Sequence, residues 1–211
     1  MVKKSLETQE KILEAARNVF TRKGMSGARM QEIADEAGIN KALLHYYYRS
    51  KAKLFDQIFE EARGKLFFPL VQTLNAEMDL FEKIETICFQ YYHFLKEYPY
   101  LPNFVIGEVY RTPEIVTQQM ELAGFSLEQF RVQVEQEIAA GRIRPIDPRE
   151  LVMNLIALNV FPVMVRPIAE NMIYRDANYD EVLEQRVKMA ARFVINSIAL
   201  PQDCKEENRN Q

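Results

Sequence analysis

Apolar residues recur at intervals of three and four along almost the whole chain, and that period favours helices over every alternative. Ile12, Leu13, Ala16, Val19 and Phe20 form the first stripe, with Lys11, Glu14, Arg17 and Asn18 between them; Ser5 reads as its N-cap and Gly24 as its stop. Ile84, Ile87, Cys88, Tyr91 and Leu95 form another, closed before Pro99. A further segment holds Leu122, Phe125, Gln129, Val132, Gln136 and Ala139 and ends at Gly141 and Pro145. Asp147-Pro148 reads as a cap followed by proline at the first helical position, opening an apolar helix around Leu151, Leu155 and Leu158. The last stripe carries Leu183, Val187, Ala190, Val194 and Ile198 and ends at Pro201. Seven Gly and nine Pro in 211 residues are too few for a hairpin-rich β fold, and no alternating pattern competes. The expectation is an all-α chain of about nine helices.

Hydrophobic residues make up 48% of the chain, enough apolar surface to offset the entropy of ordering and to exclude a wholly disordered protein. The net charge of -3 hides an asymmetry. Residues 1–55 hold 11 of the 27 Lys and Arg and 6 of the 30 Asp and Glu, a net of +5; the remainder carries 16 and 24, a net of −8. Such a split suits a basic module for a polyanion joined to an acidic body, or a chance fluctuation among solvated helix faces.

Cys88 and Cys204 form neither a metal spacing nor a C-x-x-C pair, which predicts a reduced, cytoplasmic chain. The N-terminus, MVKKSLETQEK, has no apolar core of the kind a secretory signal needs. Leu151–Ala169 is the most apolar stretch, but Asn154, Asn159, Pro162, Arg166 and Pro167 interrupt it, short of the ~18–20 clean residues of a span. No membrane partner is expected. The only histidines, His45 and His93, follow Ala42 and Gln90 by three residues, so Glu-x-x-His pairs for a di-iron bundle are missing. There is no phosphate-cradling Gly-rich loop and no G-x-S-x-G elbow. Neither an enzyme nor a cofactor or metal site is expected.

Residues 30–47, MQEIADEAGINKALLHYY, read as two short helices, Met30–Ala37 and Lys41–Tyr47, joined by Gly38-Ile39-Asn40. Ala34 is small where a second helix must approach, and Gly38 can take the positive φ of a sharp turn. Ile33, Ile39 and Leu44 would pin the pair at the steep angle of a helix-turn-helix. A helical hairpin would use glycine too, but Lys41, His45, Tyr46, Arg49, Lys51 and Lys53 cluster in or just after the second helix. Such donors bind phosphates while a helix N-terminus enters the major groove.

Residues 10–55, and above all GMSGARMQEIADEAGINKALLHYYYRSKAKLF, resemble the DNA-binding region of the TetR family of bacterial transcriptional regulators. Gly24, Ala28, Met30, Ile33, Ala34 and Ala37 fit the family pattern, as do Gly38, Ile39, Asn40, Lys41, Ala42 and Leu44, then Tyr46, Tyr47, Ser50, Lys51 and Leu54. Three residues depart from it. Arg29 stands where Ser or Thr usually caps the first helix, His45 replaces a tyrosine, and Tyr48 a phenylalanine. The resemblance implies a DNA-binding domain over 1–52, with its helix-turn-helix core at 30–47, and a helical effector-binding and dimerisation domain over 53–211. It puts base contacts at Lys41, Ala42 and Leu43: lysine donates to guanine, and the apolar pair meets thymine methyls. Arg29, Met30, His45, Tyr46 and Tyr47 join the DNA-facing set, and Lys51 and Lys53, behind the cap Ser50, would clamp a phosphate.

Residues 67–130 hold thirteen aromatic positions that mostly suit a packed core. The resemblance favours an apolar effector pocket among them, with Tyr92, His93, Phe104 and Phe125 as candidates. It also implies a homodimer through the two C-terminal helices, with Leu151, Leu155, Leu158, Val187, Val194 and Ile198 as candidate interface residues. The expected function is a regulator, a repressor in the family's usual mode. It would bind a palindromic double-stranded operator as a dimer, and a small apolar or amphipathic effector would release it. The competing expectation is a helical protein-interaction adaptor whose helix-turn-helix is purely structural; that protein would show no salt-dependent DNA binding.

Overall fold

The computed structural model describes residues 2–99, 101–111 and 113–200; Tyr100, Pro201 and Cys204 lie outside them. The described residues are helical with no strand, apart from one isolated bridge between Ile143 and Ala199. The helices are α1 (Val2–Gly27), α2 (Met30–Glu36), α3 (Lys41–Tyr47), α4 (Lys51–Ala62), α5 (Phe68–Asn75) and α6 (Leu80–Glu97). After them come α7 (Leu101–Arg111), α8 (Pro113–Leu122), α9 (Glu128–Ala139), α10 (Pro148–Met164), α11 (Arg166–Ile168) and α12 (Tyr179–Ile198). Arg63–Phe67 and Ala169–Ile173 are π-helical turns. Twelve helices replace the expected nine because short pieces, such as the three residues of α11, have too little length to show a period of their own.

The local signals behave as side-chain chemistry dictates. α1 opens at Val2, so Ser5 stands inside it rather than capping it. Gly24 leaves helical geometry at φ +67° and turns the chain before α2. The Asp147 carboxylate accepts from the Arg149 backbone at 2.9 Å, with Pro148 behind it, as expected of that pair. Asn178 caps α12 in the same way, accepting from Asp180 at 3.0 Å. No single helix among the described residues is long and apolar enough to cross a membrane; α10 and the Arg166–Ile173 stretch meet at a bend of 59°.

Packing sorts the chain into two compact units. One comprises the chain up to Pro69 with Phe94–Phe125, and the other Leu70–His93 with the chain from Ser126 onward. The first unit is built on an aromatic cluster. Phe104 of α7 lies with its ring centroid 4.9 Å from Phe55, 5.0 Å from Phe59 and 6.4 Å from Phe20. Arg17 of α1 pairs with Glu61 of α4 beside that cluster's helices.

In the second unit Leu80, Ile84, Cys88, Phe130, Leu151 and Leu155 are buried, as are Val194 and Ile198 of α12. A lysine lies in the same interior. Lys83 Nζ donates to the Leu74 carbonyl at 2.8 Å and to Gln133 Oε1 at 2.6 Å, and Gln133 in turn donates to the Met78 carbonyl. The Leu74 carbonyl is one that the end of α5 leaves without a helical partner, and the Met78 carbonyl lies in the loop after it. Burial holds the Lys83 ammonium below the ordinary lysine range.

Candidate nucleic-acid interface

Two short helices and a turn capped at both ends form the helix-turn-helix. α2 ends one residue earlier than its periodicity suggests, with Ala37 as C-cap. Gly38 follows at φ +66°, donating to the Asp35 carbonyl at 3.1 Å, while the Ile39 N–H reaches the Ala34 carbonyl at 3.0 Å. This is the Schellman arrangement, which needs a left-handed residue at that place and so selects glycine. Asn40 then caps α3, its side-chain oxygen accepting from the Leu43 N–H at 2.8 Å. Ile33, Ala34 and Leu44 are fully buried and fix α3 against α2. With Leu44 turned inward, Lys41, Ala42, Leu43, His45 and Tyr46 are left exposed, while Tyr47 is half-buried with its ring edge-on to Tyr46 at 5.4 Å.

Arg29 cannot cap α2 as a hydroxyl would, because a guanidinium carries donors only. The reciprocal half of a capping box remains: the Glu32 carboxylate accepts from the Arg29 backbone N–H at 3.2 Å. Lys23 donates to the same carboxylate at 2.6 Å and is the main cause of its lowered pKa. Arg22 pairs in turn with Glu36. The α2 carboxylates Glu32 and Glu36 are thereby neutralised by α1. Arg29, Lys41, Arg49 and Lys53 are exposed and make no ion pair among the described residues, so this end of the chain keeps its excess of positive charge. Met30 is half-buried at the start of α2.

The two lysines after Ser50 differ. Ser50 caps α4, its hydroxyl oxygen accepting from the Lys53 N–H at 3.3 Å, and the Lys53 side chain is exposed. Lys51 instead donates to the Ser26 and Ala28 carbonyls at 3.2 and 2.8 Å, tying α4 to the end of α1. Its expected phosphate-clamping role is displaced by those carbonyls, 25 and 23 residues earlier in the chain. Arg49, whose carbonyl lies 3.4 Å from His45 Nδ1, is an exposed cation of this region that the family pattern does not single out.

The other candidates separate. Tyr92 and His93 belong to the second unit, Phe104 and Phe125 to the first. His93 is exposed, its ring 4.2 Å from Phe89 and 5.2 Å from Tyr92; Phe125 is half-buried. Phe104 is enclosed by the phenylalanines of α1 and α4, which makes it a core residue rather than a pocket wall. On α10 and α12, Leu151, Leu155, Val194 and Ile198 turn inward and cannot form an outer face; Leu158 and Val187 are half-buried. Polar groups that periodicity did not single out lie within the second unit. Thr73 and Gln90 bond to each other, and Asn159 donates to the Leu155 carbonyl at 2.8 Å with Cys88 Sγ 3.4 Å away. Burial pushes both the Tyr91 hydroxyl and the Cys88 thiol up.

Residues 12–58 match the family model described as bacterial regulatory proteins, tetR family. The chain is 26% identical over 149 residues to an uncharacterized HTH-type transcriptional regulator, YhgD of Bacillus subtilis, covering 68% of this chain and 76% of that one. It is 40% identical over 80 residues to the HTH-type transcriptional repressor NicS of Pseudomonas putida, 35% of this chain and 38% of that protein. A solved TetR family transcription regulator from Marinobacter aquaeolei shares the fold with a TM-score of 0.62 at 20% identity, over 95% of this chain and all of that one. The matched residues contain α2, α3 and the capped turn between them, and the chain is a DNA-binding transcriptional regulator that belongs to the tetR family of bacterial regulatory proteins.

Proposed function

We propose that the protein is a cytoplasmic repressor that binds a palindromic operator as a homodimer and leaves it when a small apolar or amphipathic molecule binds the body. The observation that carries the DNA-reading part is α3 itself. Burial of Leu44 turns Lys41, Ala42 and Leu43 outward together at the start of a capped helix. In this reading Lys41 donates to a guanine edge and Ala42 and Leu43 meet thymine methyls. Arg29, His45, Tyr46, Tyr47 and Lys53 hold the flanking phosphates, joined by Arg49, with Met30 beside them on the DNA-facing side of α2. Residues 1–52 carry DNA recognition, and residues 53–211 carry the effector and the dimer contact.

Repression is supported by the name of the NicS relative, whose similarity covers 35% of this chain. The dimer is supported by large apolar side chains that α10 and α12 leave in water: Met153 and Phe161 on the first, Met189 and Phe193 on the second. A two-fold pair also suits the repeat of two half-sites about one DNA turn apart. An amphipathic effector is supported by the polar groups Tyr91, Thr73, Gln90 and Asn159, set among apolar side chains of the second unit. Release then follows as linkage: a ligand favouring a spacing of recognition helices that the operator does not fit lowers DNA affinity by the same factor that DNA lowers its own.

Footprinting on DNA flanking the protein's own gene, with and without candidate effectors, tests the proposal. The expected result is a two-fold symmetric protected site that an effector abolishes. Protection of a single half-site would contradict the dimer, and no protection at any salt would contradict the operator.

A further inference from the structure

We infer that the segment between α10 and α12, residues 165–177, is itself a dimerisation element, docking against a second copy of this chain. The inference rests on the homodimer reading above and extends it to a part of the chain outside the two long helices. Ile168, Met172 and Ile173 lie within six residues and are 57, 70 and 68% exposed, among the most exposed aliphatic side chains described.

This stretch is held in place. Arg166 donates to Glu170 at 2.8 Å and pairs with Asp180 of α12 at 2.9 Å, with its guanidinium 5.7 Å over the Tyr179 ring. Tyr179 donates its hydroxyl proton to the Pro162 carbonyl of α10 at 2.9 Å, and Arg175 Nε donates to the Asn171 carbonyl at 2.6 Å. Both ends of the bend are therefore tied to the long helices, and its apolar side chains are presented from a braced backbone. Three large apolar groups fixed in water are costly unless something covers them.

Charge narrows the choice of partner. Within residues 165–177 the charged side chains are Arg166, Glu170, Arg175 and Asp176, two of each sign. Arg166 and Glu170 neutralise each other inside the chain. An anionic membrane surface or a polyanion needs a basic excess that this stretch does not have. A two-fold copy needs only self-complementarity, and an uncharged apolar patch supplies it.

Area points the same way. At about 200 Å² of full surface for a large apolar side chain, the exposed parts of Met153, Phe161, Met189 and Phe193 offer about 500 Å². An obligate homodimer buries roughly 1,000 Å² per partner, about two-thirds of it apolar. The four side chains of α10 and α12 fall short of that, and Ile168, Met172 and Ile173 add about 400 Å² more. α10 and α12 pack on each other, and the segment continues directly from one into the other, so all seven side chains can serve one interface.

Sedimentation equilibrium over a dilution series of the full chain tests this, comparing wild type, Phe193→Lys and the double variant Met172→Lys/Ile173→Lys. The inference predicts a wild-type dimer, a monomeric Phe193→Lys, and a dimer dissociation constant raised about 100-fold in the double variant with an unchanged helical spectrum. Hydrogen exchange on the wild-type chain checks it without mutation: amides of 165–177 should be protected at high protein concentration and lose protection on dilution. A double variant that dimerises as tightly as wild type, with exchange in 165–177 independent of concentration, overturns this inference and leaves the α10–α12 dimer standing. The same result with binding to anionic vesicles assigns the patch to a membrane surface and also overturns it. A wild-type monomer at micromolar concentration overturns the dimer reading and this inference with it.

Discussion

Lys51 and Lys53 stand two positions apart and serve different ends, a distinction a family pattern does not draw. Lys51 holds two backbone carbonyls, so Lys51→Met should lower thermal stability. Lys53 is exposed, so Lys53→Ala should leave stability unchanged, weaken binding equally on all sequences and reduce the salt slope by about 1. A melting curve beside a gel-shift titration separates the two. Lys41→Ala should cost about 1–3 kcal/mol of operator affinity and relax the preference at one base pair; equal affinity and equal preference would remove it as a base reader.

At the acid end, the Arg149 side chain and backbone hold the Asp147 carboxyl at about 2, down from 3.8. Arg142, then the Phe81 and Glu82 N–H groups, hold Asp79 low as well. Folded values below the unfolded ones mean that the stabilisation is complete above pH 3.8 and is lost as pH falls towards 2. Unfolding free energy followed from pH 5 to 2 should fall less steeply in Asp79→Asn/Asp147→Asn than in wild type.

At the scale of elements, what the sequence made legible was local. Gly38, Asn40 and Leu44 act within one turn of themselves, so residues 30–47 disclose the recognition element almost to the residue. Gly38→Ala tests this. Nothing lies within 4 Å of the added Cβ, so the left-handed backbone alone should cost about 1–2 kcal/mol of unfolding free energy. α10 was not legible in the same way. It is apolar nearly all round, and periodicity cannot distinguish the inward Leu151 and Leu155 from the outward Met153 and Phe161. Phe104 was misplaced for a related reason: an aromatic residue suits a core and a pocket equally, and only the approach of Phe20, Phe55 and Phe59 decides. Phe104→Ala should cost about 3–5 kcal/mol and lower DNA binding through loss of folded protein. A calorimetric scan showing full stability would return Phe104 to the pocket.

For the whole molecule, the net charge of -3 combines two opposed parts, and the structure shows how the basic part stays basic. α1 neutralises α2 carboxylates through Lys23 and Arg22, leaving the cations after them unpaired. In the proposed function this surface reads DNA through the start of α3. Fluorescence anisotropy on a duplex selected from random sequence, measured from 50 to 200 mM salt for wild type and Lys41→Ala, tests it most directly. The expected result is a steep fall in log affinity with log salt for both proteins, and a preference for selected over scrambled duplex that is smaller by about 1–3 kcal/mol in Lys41→Ala. Affinity that is flat with salt, or a variant that discriminates as well as wild type, would contradict it.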